Sequence, residues 1–103
     1  VSTLRELQRE VNEWQAATFP EAPALSYAIK CRKETQELLT AVARMRLDEI
    51  CDECADVAIM VMGICARHHI DLETAIRAKL AKNKARKWAK QDDGTFQHVE
   101  ETP

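Results

Sequence analysis

The fold turns on Glu49-Ile50-Cys51-Asp52-Glu53-Cys54-Ala55-Asp56-Val57-Ala58-Ile59-Met60-Val61-Met62-Gly63-Ile64-Cys65-Ala66. From Val57 to Ala66 this stretch carries no charge and is apolar around the whole circumference of a helix, which predicts a buried, central element. The apolar run is about half the length needed to span a bilayer. Earlier in the same stretch, Glu49, Glu53 and Asp56 share one side. A central helix that also carries inward acids needs something positive beside them.

Outward from this stretch the pattern stays helical. Asp48 can cap this third helix, predicted over 48–67, with His68-His69-Ile70 as a short connection beyond it. Upstream, Tyr27, Cys31, Leu38, Ala41 and Met45 lie within one wide stripe of a helix over 24–46. Thr3 and Glu6 stand in capping-box relation ahead of Leu4, Leu7, Val11 and Trp14, giving a first helix over 3–16 whose apolar stripe needs a partner. Pro20 and Pro23 break the chain between these two helices, in a loop that carries Phe19. Asp71 can cap a fourth helix over 72–88, and 89–103, with its Asp93-Gly94 turn, reads as an irregular tail.

With 103 residues, two glycines, three prolines and 5% aromatics, the chain is expected to be a single all-α domain over 1–103, an antiparallel four-helix bundle-like fold. The all-round apolar third helix further predicts assembly as a dimer or tetramer. At 46% hydrophobic and 31% charged residues, disorder and a membrane span are both excluded. A net charge of −2 argues against a partner that is a nucleic-acid polymer. Val1 to Glu6 mixes acid and base where a secretory signal would be apolar, so a cytoplasmic address is expected.

Glu34 and Glu37 are three residues apart on the second helix, beside Cys31, Leu38 and Ala41; Glu53 and Asp56 repeat the spacing on the third. A helical hairpin turning near Arg46 would gather all four acids. Inward carboxylates repel one another and lose hydration, at several kcal/mol per ion unless a cation sits among them. Oxygen ligands without histidine or thiolate favour Mg²⁺, with Mn²⁺ possible. A ferritin-like di-iron site is set aside, because it needs Glu-x-x-His pairs and none is present. Cys51 and Cys54 match C-x-x-C, but with Ala58, Val61 and Cys65 they follow the side of the helix opposite the acids and read as small core residues.

Glu34-Thr35-Gln36-Glu37 followed by Glu53-Cys54-Ala55-Asp56 resembles the Glu-x-x-Glu and Glu-x-x-Asp signature of the MazG-like all-α nucleoside triphosphate pyrophosphohydrolases. Trp14, Thr18-Phe19-Pro20, Lys79, Asn83, Arg86, Trp88, Asp93-Gly94 and His98-Val99 are similar to the dATP/dGTP diphosphohydrolase branch. His69 stands where a helix-ending glycine is frequent in that family, which calls for a left-handed backbone there. The resemblance implies Mg²⁺-dependent hydrolysis of a nucleoside triphosphate, and within this branch a purine deoxynucleotide, to monophosphate and pyrophosphate. Glu34, Glu37, Glu53 and Asp56 would hold the metal, with Glu34 or Glu37 as the proton acceptor. Lys79, Asn83 and Arg86 form one stripe of the fourth helix suited to phosphate oxygens, and Lys30 is either a phosphate contact or a counter-ion to the acids. Trp14 and Phe19 are candidates for stacking on the base. The competing expectation is a helical assembly or nucleotide-binding module without turnover, which would have no use for four inward acids.

Overall fold

The computed structural model describes residues 3–100. Four helices occupy most of them: α1 (Leu4–Thr18), α2 (Ala24–Ala43), α3 (Leu47–Arg67) and α4 (Leu72–Lys84). They are followed by two short strands, β1 (Trp88–Lys90) and β2 (Phe96–His98). The chain divides into two compact units, one ending at Leu72 and the other beginning at Glu73. No helix among the described residues is long and apolar enough to cross a membrane.

Local chemistry sets the helix ends. Thr3 Oγ1 accepts from the Glu6 amide at 3.1 Å while Glu6 Oε2 accepts from the Thr3 amide at 3.4 Å, a reciprocal cap on α1. α2 stops at Ala43, short of the expected Arg46, because Met45 turns left-handed at φ 55°. Arg46 N–H then reaches Ala41 O at 3.1 Å and Met45 N–H reaches Val42 O at 3.0 Å. His69, also at φ 55°, ends α3 the same way through Ile70 N–H to Cys65 O and His69 N–H to Ala66 O. α3 begins at Leu47, so Asp48 does not cap it; with Glu49 it lies in the first turn, where negative charge suits the helix dipole.

In the first unit α2 and α3 form an antiparallel pair, with Tyr27 level with Gly63 and Ala41 level with Glu49. Its buried apolar residues are Tyr27, Ala41, Met62 and Cys65, and burial pushes the Cys65 thiol pKa up. Cys51 and Cys54, expected at a helix contact, are instead exposed.

α1 also departs from the apolar pattern. Leu7 and Trp14 stay exposed, and the face turned to α3 is the amide stripe Gln8, Asn12 and Gln15. Gln15 Nε2 donates to Ile59 O at 2.9 Å, Asn12 Nδ2 to Met62 O at 3.0 Å and Gln8 Nε2 to Ile70 O at 3.0 Å. The Leu72 amide donates back to Gln8 Oε1 at 3.0 Å. Helix carbonyls keep a second lone pair after their own ladder bond, which Gln15 and Asn12 take up at Ile59 and Met62, while Gln8 uses the carbonyl of Ile70 in the connection after α3. Gln15 is the most fully buried large side chain, satisfied at both ends of its amide.

The second unit replaces the expected irregular tail with a hairpin. β1 and β2 pair antiparallel with Trp88 opposite His98 and Lys90 opposite Phe96. Gly94 takes φ 87°, and Asp93 Oδ1 accepts from both the amide and the hydroxyl of Thr95, which holds its pKa below the ordinary range. α4 ends at Lys84, before the predicted Trp88, and the Trp88 indole N–H donates back to Asn83 O at 2.9 Å.

The closest approach in the helical pair is testable. A Cβ on Gly63 would stand 2.5 Å from Tyr27 Cδ1, a rigid ring atom. Gly63→Ala is therefore expected to lose about 1–3 kcal/mol of stability by denaturant unfolding, despite alanine's higher helix propensity. An unchanged midpoint would contradict this packing.

Candidate metal and phosphate site

The antiparallel pairing brings Glu34 and Glu37 of α2 against Glu53 of α3, with one carboxylate oxygen from each within 4.8 Å of the others. Glu34 is buried, Glu53 half-buried and Glu37 exposed. Oxygens sharing one Mg²⁺ at about 2.1 Å lie no more than about 4.2 Å apart. Small rotations of the side chains would bring these three within that limit. Glu53 Oε2 is buried without a hydrogen-bond partner, a polar atom that a bound cation would satisfy. Asp56, one turn beyond Glu53, is exposed and outside this triplet, though its charge is felt by both Glu53 and Lys30.

Electrostatics separates the acids. Lys30 Nζ lies 3.1 Å from Glu34 Oε1 and holds the Glu34 pKa below its ordinary 4.5, against the opposing effect of burial. Loss of hydration, reinforced by neighbouring Glu34, Glu37 and Asp56, pushes Glu53 up to about 7. Below this triplet a cavity of about 280 Å³ between α2 and α3 is lined by Gln36, Glu37, Thr40, Ala41, Glu49 and Glu53. Gln36 and Thr40 were not anticipated as lining residues; their signal was position, beside and one turn beyond Glu37. Glu49 is held by Arg46 at 3.3 Å.

The other candidates divide between the units. Trp14 and Phe19 meet edge to face in the first, with centroids 5.3 Å apart, and both remain exposed. In the second unit Lys79 is exposed, and Asn83 Oδ1 is buried with no partner. Arg86 lines a cavity of about 390 Å³ with Lys87, His98 and Glu100.

An all-α scaffold presenting oxygen-only ligands from two antiparallel helices suits a hard divalent cation. The chain belongs to the MazG-like pyrophosphohydrolases, a family of nucleotide-hydrolysing enzymes, matching over residues 3–84 the family described as phosphoribosyl-ATP pyrophosphohydrolase. It is 38% identical over 97 residues to a dATP/dGTP diphosphohydrolase of Salmonella phage PMBT28, covering 94% of this chain. The chain spans about a third of that relative, 32% of its length. It is 34% identical over 100 residues to the dATP/dGTP diphosphohydrolase of Cyanophage S-2L, covering 95% of this chain and 90% of the relative. A solved Cyanophage S-2L MazG-like pyrophosphohydrolase, bound to dGDP and three catalytic Mn²⁺ ions per active site, superposes with a TM-score of 0.80 at 33% identity. That match covers 97% of this chain and all of the other.

The raised Glu53 pKa sets a pH dependence with a definite sign. Between its ordinary 4.5 and about 7 the folded, metal-free chain binds more protons than the unfolded chain, so stability falls as pH rises through that window. Glu34 acts oppositely: its contribution is present above 4.5 and lost as pH falls through its lower folded value. Thermal melts of metal-free protein should therefore decline from about pH 4.5 to 7, and Glu53→Gln should flatten that decline. A melting temperature that climbs across the same window in the parent would refute this assignment.

Proposed function

We propose that this chain hydrolyses purine deoxynucleoside triphosphates between the α- and β-phosphates, releasing the monophosphate and pyrophosphate, with Mg²⁺ or Mn²⁺ as cofactor. The observation that carries this reading is the convergence of Glu34, Glu37 and Glu53, with one oxygen buried and unpartnered. An assembly module would have no reason to maintain it. When bound, the metal supplies charge neutralisation of the phosphates and a water of lowered pKa. Glu34, Glu37 and Glu53 are the proposed ligands, with Asp56 joining them from the next turn.

Of the two acids considered as proton acceptor, Glu34 is tied to Lys30 while Glu37 is exposed and has no ion pair among the described residues. Glu37 is the better-placed base. Lys79, Asn83 and Arg86 are the proposed phosphate contacts, Lys30 is either a further phosphate contact or a counter-ion to the acids, and Trp14 or Phe19 is the stacking surface for the base. The purine deoxynucleotide assignment follows the names of the two phage relatives and the dGDP bound to the solved one. The family description carries a different substrate, phosphoribosyl-ATP, cleaved to the same pyrophosphate.

The working unit in this reading is a homodimer or tetramer. Leu25, Ile29, Leu39 and Val42 of α2 are each more than half exposed, while among the described residues only four apolar side chains are buried. Apolar surface is worth about 25 cal/mol per Å² when covered, and a second copy is the covering proposed. Sedimentation at micromolar concentration should return a multiple of the 11.7 kDa chain mass; a monomer would exclude the assembly.

Activity is read as pyrophosphate release with Mg²⁺ from the four deoxynucleoside triphosphates and from phosphoribosyl-ATP. dATP and dGTP should be the preferred substrates, and Glu37→Gln and Asp56→Asn should each lower turnover at least about 100-fold. Equal turnover in the parent and both variants would remove the mechanism.

A further inference from the structure

Lys30 precedes Glu34 by four residues, the less favourable order for an ion pair on a helix surface, so the pair is a poor device for stabilising α2. Its geometry fits another purpose. The Glu34 side chain is only 8% exposed whereas that of Lys30 is 52% exposed, so a half-exposed lysine brings its ammonium head to a buried carboxylate. The ammonium feels Glu37 and Asp56 as well as Glu34, the same acids proposed to surround a metal.

We propose that Lys30 is the resident counter-ion of the acidic site, and that its ammonium and the divalent metal compete for Glu34. This rests on the metal-site reading above. Without metal, the 3.1 Å contact sets a compensating positive charge against the buried Glu34 carboxylate. A divalent ion among the same oxygens delivers twice the charge, and the lysine head then returns to water at little cost, because its stem already lies at the surface. The site is thereby held open for metal by a cation that gives way to it.

The experiment is calorimetric titration of Mn²⁺ alone, without nucleotide, into the parent, Lys30→Met, Lys30→Arg and Glu53→Gln, with metal-free melts of each. Lys30→Met should bind Mn²⁺ about fivefold more tightly than the parent while its metal-free form melts lower; Lys30→Arg, which keeps the charge, should stay near the parent. Unchanged or weaker Mn²⁺ binding by Lys30→Met, with the parent still binding and Glu53→Gln impaired, would overturn the competition and leave the metal site standing. No Mn²⁺ binding by the parent, or binding untouched by Glu53→Gln, would overturn the metal-site reading itself and this inference with it.

Discussion

Like charges held face to face across a helical pair are the constraint to which the first unit answers. Glu34 and Glu37 on α2 meet Glu53 on α3, and an approach of this kind persists only if the helices cannot slide or splay. The ring of Tyr27 against the bare backbone of Gly63 supplies a close contact on the same pair of helices, two turns from Glu34. It fixes the separation with an incompressible aromatic rather than with a network of polar bonds. Lys30 offsets part of the repulsion at Glu34, while loss of hydration, with the neighbouring acids adding to it, raises the proton affinity of Glu53.

The acidic pairs were legible because a three-residue spacing is a geometric statement about any helix, and apolar neighbours such as Ile50 and Val57 show which way the face turns. Which acids converge was less so: Glu34, Glu37 and Glu53 meet while Asp56 stays in solvent, a distinction set by the register of two helices that no single-helix pattern contains. The rotation of α1 escaped the apolar pattern altogether. Gln8, Asn12 and Gln15 lie outside the apolar stripe that the sequence offered, yet they turn inward because α3 and the connection after it offer backbone carbonyls, and carbonyls leave no trace in side-chain sequence.

Helix endings divide along the same line. Glycine-terminated helices are easy to mark, whereas Met45 adopts the left-handed turn without it, so the end of α2 was read about three residues late; the left-handed His69 after α3 was anticipated only through the family resemblance. The hairpin after α4 did carry a signal, Asp93-Gly94, but its strands are only three residues long and wholly exposed, leaving no alternation of burial to announce them. Basic residues meanwhile crowd the second unit, from Arg77 to Lys90, and acids line the helical pair of the first. These opposite charges nearly cancel in the net charge of −2, which is why the overall balance did not disclose either cluster.

The amide stripe on α1 has a consequence for how this domain tolerates change. Gln8, Asn12 and Gln15 grip peptide oxygens of Ile59, Met62 and Ile70, groups that every residue possesses. The seam itself therefore asks nothing of the side chains at those three positions, although Met62 is constrained separately as one of the buried apolar residues of the helical pair. On α1 the demand is the reverse, because there the side-chain amides themselves make the bonds.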